Sequence, residues 1–135
     1  MPAPALTRAE ATAAGDVVAE LEPPEVARQL VAILGRPLVA LITGVSATRV
    51  VRAWEENGRI SPENEQAIRV ALQAALIVKT QFKDGVVRNW FVGHNTVLAD
   101  RAPGELVREL ATTAMLGKMD LGRSLLSAAR AFVAR

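Results

Sequence analysis

The fold class turns on Arg36-Pro37-Leu38-Val39-Ala40-Leu41-Ile42-Thr43-Gly44-Val45-Ser46-Ala47-Thr48-Arg49-Val50-Val51-Arg52-Ala53-Trp54-Glu55. Proline suits a first helical turn, so Pro37 opens a short helix reaching to about Ile42. Thr43-Gly44-Val45 reads as a tight turn, and Ser46 is a good N-cap for a second helix over 47–56. Asn57-Gly58 ends that helix. Its apolar spacing points Val50, Val51 and Trp54 to a core. Thr48, Arg49 and Arg52 then point outward, with Ser46 at the N-terminal end.

The same signals recur on both sides. Pro23-Pro24 starts a helix whose stripe is Val26, Leu30, Val31 and Leu34, with Glu25 complementing the helix dipole and Gly35 as the stop. Ser61-Pro62-Glu63 opens a longer helix with Ile68, Leu72, Ala75 and Leu76 inward, reaching to about Phe82 before Lys83-Asp84-Gly85 breaks it. A short helix over 86–91, a turn at Gly93-His94-Asn95, and a helix from Pro103 with Leu106, Val107, Leu110 and Ala114 inward follow. Gly117 and Gly122 weaken the next stretch. A final helix gathers Leu121, Leu125, Ala128 and Phe132 on one face and Arg123, Ser127 and Arg130 on another. Residues 12–20 admit a weak helix, but Gly15 and poor hydrophobic contrast favour a loose arm over 1–22. The expectation is an all-α chain: a flexible arm (1–22), a helical domain (23–82), and a small helical domain continuous with it (83–135).

Composition agrees. Half of the 135 residues are hydrophobic, yet there are only three Phe, two Trp and no Tyr. Apolar mass supplied mainly by Ala, Leu and Val favours helices over sheets. There is no cysteine, which excludes disulfides, thiolate metal sites and cysteine nucleophiles. His94 is the single histidine, with no partners spaced for a metal site or a catalytic triad. No activated nucleophile or acid–base pair stands at a recognisable spacing, so no enzyme, metal or cofactor is expected. The apolar run over 74–78 is far shorter than the ~20 residues that span a bilayer. The N-terminus lacks the basic start and apolar block of a signal peptide, so a cytoplasmic, membrane-free protein is expected. The net charge of +2 is uneven: residues 1–35 carry two basic and five acidic side chains, while 36–60 carry four arginines against two glutamates. That balance permits nucleic-acid contact without demanding it.

Residues 36–55 resemble the helix-turn-helix of Xre/Cro-type repressors. Ala40, Gly44 and Val50 hold the fifth, ninth and fifteenth places of that motif: a small residue at the helix crossing, glycine in the turn, an apolar residue on the second helix. The resemblance implies that Arg49 and Arg52 read guanine edges or pair with phosphates, and that Ser46 and Thr48 donate to phosphate. The bland alternative is an ordinary helical corner whose arginines solvate it. Glu55 and Glu56 would face phosphates unfavourably.

A second block, Val87-Arg88-Asn89-Trp90-Phe91-Val92-Gly93-His94-Asn95-Thr96-Val97-Leu98-Ala99-Asp100-Arg101-Ala102-Pro103-Gly104-Glu105-Leu106, is similar to the toxin-binding domain of the Xre/MbcA/ParS antitoxin family. Trp90, Asn95, Leu98, Arg101, Pro103 and Leu106 carry the likeness. The chain departs from the family pattern where His94 replaces a proline, Ala99-Asp100 replaces a glycine pair, and Ala102 replaces a capping serine. The likeness runs from about residue 25 to the end, in the family's order. It implies a homodimeric type II antitoxin, within a larger complex, that neutralises a RES-domain, NAD-consuming toxin by occluding its active site and represses its own operon by binding operator DNA. The alternative is a stand-alone Xre-family transcriptional regulator. In the first reading Arg123, Ser127 and Arg130 meet the toxin, Phe132 and Val133 supply apolar bulk, and the carboxylate of Arg135 mimics an anion. Phe132 reads at least equally as core packing. Trp90 and Phe91 read as core or dimer contacts, His94 as a turn residue, and Asn95 and Arg101 as braces of the turn, Arg101 through Asp100 or Glu105.

Overall fold

The computed structural model describes residues 8–112 and 118–134, which form α1 (Arg8–Glu20), α2 (Pro23–Leu34), α3 (Arg36–Thr43), α4 (Thr48–Asn57), α5 (Pro62–Lys79), α6 (Asp84–Val92), a 3₁₀ turn (Thr96–Leu98), α7 (Pro103–Thr112) and α8 (Lys118–Val133). The fold is all-α; among the described residues the only β-type pairing is an isolated bridge between Asn95 and Arg101. No single described helix is long and apolar enough to cross a membrane, although the α2–α3 pair, bent by 111°, passes on length and composition together.

Helix α5 organises the rest. The Ser61 hydroxyl accepts from the Asn64 amide at 3.2 Å, Pro62 occupies the first turn, and Glu63 and Glu65 complement the dipole. Ala67, Ile68, Ala71, Leu72, Ala74, Ala75, Ile77 and Val78 are all fully buried, which is the pattern of a helix enclosed on more than one side. Helices α1, α2, α7 and α8 each pack against it. The expected stripe is thus too narrow, and Leu76, expected inward, is only half-buried. The helix also stops at Lys79 rather than Phe82, where the Thr80 hydroxyl donates to the Ile77 carbonyl at 2.6 Å.

One expectation about organisation changes. The weak helix admitted over 12–20 is formed and begins at Arg8, in place of a loose arm. Val18 lies in the core, and Arg69 of α5 donates to the carbonyls of Val18 (2.8 Å) and Leu21 (2.9 Å) at the end of α1. The Val18 carbonyl also accepts from the Leu21 amide at 3.2 Å, and the guanidinium adds a charged donor that fastens the helix end. The helical stretches on either side of residue 82 are continuous, as expected: one cluster of buried side chains runs from Val18 through Ile68 and Leu110 to Val133. Ala114, expected inward, lies outside the described residues.

Helix α7 meets α3 and α6 most closely at Gly104. A Cβ there would lie 2.8 Å from Ile42 Cγ2 and 2.9 Å from the carbonyl oxygen of Phe91. Backbone cannot yield as a side chain does, so Gly104→Ala should cost about 1–3 kcal/mol. The cost reads as a lower urea midpoint at unchanged slope; an unaltered midpoint would mean that the approach is looser than described.

Candidate functional site

The α3–α4 corner is built by short-range chemistry. The Thr43 hydroxyl donates to the Val39 carbonyl at 2.7 Å as α3 ends. Gly44 follows at φ +78°, in the left-handed region that glycine enters without steric cost, and its amide bonds the Ala40 carbonyl at 3.0 Å. Ala40 is buried, as the motif's fifth place requires, and Val51 and Trp54 are buried, as helical periodicity expects, while Val50, the apolar residue of the motif's fifteenth place, is only half-buried. Thr48, Arg49 and Arg52 are exposed, as expected. Ser46 is exposed too, but it is not the N-cap. Ala47 holds that position at φ −155°, ψ 151°, with no side-chain bond to the helix, and α4 begins one residue later than expected. Ser46 therefore belongs to the turn, and the first amides of α4 have no side-chain acceptor.

Of the two acids on this flank, Glu55 is neutralised from within, while Glu56 is exposed and in no ion pair among the described residues. Arg36 grips Glu55 with both sides of its guanidinium, Nε to Oε2 at 2.6 Å and Nη2 to Oε1 at 3.2 Å, and Arg28 donates to the Glu55 carbonyl at 3.0 Å. The hydrogen bond to Glu55, then its charge, holds the Arg36 guanidinium above its ordinary pKa. Glu55 thus clamps the end of α4 to the start of α3 and presents no bare charge to an approaching anion. Arg49, Arg52 and Arg59 have no carboxylate partner among the described residues.

The second block folds into a closed loop between α6 and α7. Asn95 is buried; its Oδ1 accepts from the Val97 amide at 3.0 Å, its carbonyl from the Leu98 amide at 3.0 Å and the Asp100 amide at 2.8 Å, and its amide donates to the Arg101 carbonyl at 3.2 Å. His94 lies beside it, with Nδ1–H donating to the Asp100 carbonyl at 2.8 Å, so it is a turn residue. Leu98, Pro103 and Leu106 are buried beneath. Arg101 pairs with Glu109 at 2.9 Å and more loosely with Glu105 at 3.6 Å; Asp100, the other expected partner, is not engaged. The Glu109 hydrogen bond is the main reason that the Arg101 guanidinium sits above its ordinary pKa. Trp90 is 6% exposed and meets Phe91 edge-on at 5.0 Å, a core role. These motif residues brace one another.

On α8, Arg123, Ser127 and Arg130 are exposed and follow helical spacing along one face. Val133 is not presented: it is 4% exposed and belongs to the core with Leu125, Ala128 and Ala129. Phe132 is half-buried, its ring 4.9 Å from Phe82 and 6.4 Å from Trp90. The apolar plug expected from Phe132 and Val133 is therefore corrected to an inward-packed helix end, because α8 needs that face for the core. Arg135 lies outside the described residues. Among the described residues no three His, Asp or Glu side chains gather to hold a metal ion. Sequence reading missed Arg108 of α7, whose stem lies across Gly44; a contact between residues so far apart leaves no local signal.

The loop stores backbone strain. Ala99 (φ +54°) and Asp100 (φ +64°) both adopt the left-handed conformation, where a Cβ crowds the following carbonyl at a cost of about 1–2 kcal/mol. Ala99→Gly relieves that crowding and gives part of the gain back as unfolded-state entropy, for a net stabilisation of about 0.5–1 kcal/mol. Thermal unfolding should shift upward by about 2–4 °C; a downward shift would show that the methyl group packs favourably.

No protein-family model matches the chain, nor does any curated protein or any solved structure.

Proposed function

We propose that the chain is the antitoxin of a type II toxin–antitoxin system. In this reading its C-terminal block captures a RES-domain toxin that consumes NAD⁺ and covers the toxin's active site, while the α3–α4 corner is a helix-turn-helix that binds operator DNA, as a homodimer. The observation that carries the proposal is a pair of separate cationic faces on one chain. Arg49 and Arg52 are exposed on α4, and Arg123 and Arg130 on α8, all without a carboxylate partner among the described residues. Two such faces suit two recognition tasks, one for phosphates and one for an acidic rim around a cleft. The loop built from Trp90, Asn95, Leu98 and Arg101 supports the reading further, because its residues are those of the motif likeness.

The α8 face suits occlusion by contact at the rim. Arg123, Ser127 and Arg130 supply charge and hydrogen bonds. Charge sets encounter rate and specificity at such a surface without any chemistry by the chain itself.

The test is co-expression with a RES-type toxin encoded beside the gene. The wild-type chain should hold cellular NAD⁺ at the toxin-free level. Arg123→Glu combined with Arg130→Glu alters only exposed side chains and should weaken the purified complex by about tenfold or more, near 1.4 kcal/mol, with NAD⁺ falling accordingly. Full protection by the double variant would remove α8 from the interface. If the wild-type chain forms no complex with such a toxin, the antitoxin reading fails and a stand-alone regulator remains.

A further inference from the structure

Arg108 lies on α7, in the C-terminal half, yet it belongs spatially to the α3–α4 corner. A Cβ built on Gly44 would lie 3.3 Å from Arg108 Nε, 3.6 Å from its Cγ and 3.8 Å from its Cδ. The stem thus runs across the bare backbone of the turn leading into α4, and glycine is what allows it so close. The position is fixed: Gly104, one helical turn earlier on α7, abuts Ile42 Cγ2 and the Phe91 carbonyl.

The charge of Arg108 is available. Its side chain is exposed and has no carboxylate partner among the described residues. The two nearest acids on its own helix, Glu105 and Glu109, both turn to Arg101. On the facing elements, Glu55 is taken by Arg36. The turn beneath Arg108 feeds the N-terminus of α4, whose first amides carry no side-chain cap and which bears Arg49 and Arg52 on its exposed face.

We propose that Arg108 is a DNA-phosphate contact, so that the C-terminal block supplies part of the nucleic-acid interface. This rests on reading the corner as a DNA-binding helix-turn-helix. In that geometry the start of the second helix enters the major groove, which brings the preceding turn close to the bordering phosphates. A guanidinium held there offers a fork of donors that matches a phosphate. Phosphate contacts fix register and strengthen binding to every sequence alike. The DNA footprint therefore extends from α4 onto α7.

Fluorescence anisotropy of the full-length chain tests this with two labelled duplexes of about 24 base pairs, two helical turns: one from directly upstream of its own coding sequence and one of mixed sequence. Arg108→Gln keeps most of the stem over Gly44 and removes the charge; Arg108→Lys keeps the charge. The expected result for Arg108→Gln is about 5–10-fold weaker binding of both duplexes at 0.1 M salt, with the slope of log K against log salt reduced by about one per protomer. Arg108→Lys should keep the wild-type slope, and matching thermal midpoints show that the fold is unchanged. Arg49→Ala with Arg52→Ala separates the two levels of the argument. If that pair weakens binding while Arg108→Gln leaves affinity and slope untouched, the Arg108 proposal is overturned and the helix-turn-helix stands. If neither variant changes binding, or the wild-type chain binds neither duplex, both are overturned.

Discussion

Ala67, Ala71, Ala74 and Ala75 strip α5 of bulk along its length, and α1, α2, α7 and α8 close on it as a result. A methyl group is the smallest side chain that still favours a helix, so an alanine-rich helix serves both as a strong helix former and as a surface that neighbours approach closely. Ile68, Leu72, Ile77 and Val78 fill the space between, each worth about 1.5–3 kcal/mol when fully buried. Because α1 and α2 from one half of the chain and α7 and α8 from the other all pack on this helix, the two halves share one cluster of buried side chains. The constraint is topological as much as energetic: α5 follows the α3–α4 corner in the chain and is buried by α1 and α2 on one side of the sequence and by α7 and α8 on the other.

Function inherits that constraint. The corner is clamped at its open end by Arg36 and Glu55, and α7 is seated against it through Gly104 and Ile42. The outward face of α8 cannot be separated from the fold, since Leu125, Ala128, Ala129 and Val133 on the same helix fill the core. Removal of residues 124–135 would therefore take Leu125, Ala128, Ala129 and Val133 from the core and destabilise the fold, and surface substitutions are the cleaner probe of partner contact. A partner seated on the C-terminal block and a duplex seated on the corner would meet parts of one body, with α7 between them.

Much of this was legible because its causes are local. The Pro23 and Ser61-Pro62 starts, the Gly44 turn, the burial of Val51 and Trp54 and the exposure of Arg49 and Arg52 follow from capping, backbone freedom and helical periodicity. What escaped was set by distant neighbours. Helix α1 has weak amphipathic contrast and depends on Arg69, some fifty residues away, to hold its end. Ser46 is a better capping residue than Ala47, but the chain leaves the Gly44 turn one residue too late to use it. Val133 read as an exposed end residue because its burial depends on where α8 docks. Arg101 reaches Glu109, two turns along α7, in preference to the adjacent Asp100, since the left-handed backbone at Ala99 and Asp100 reverses the chain between them.

The shared core is tested most directly by its two tryptophans, Trp54 in the corner and Trp90 in the C-terminal block. Each is read alone, in the Trp90→Phe and Trp54→Phe variants, by urea unfolding followed by fluorescence and by far-ultraviolet circular dichroism on the same samples. A single core predicts that the two curves superimpose within each variant, with one midpoint and one slope. Loss of the Trp90 signal at lower urea than the helical signal would mean that the C-terminal block melts by itself, and the account of one body carrying both faces would be wrong.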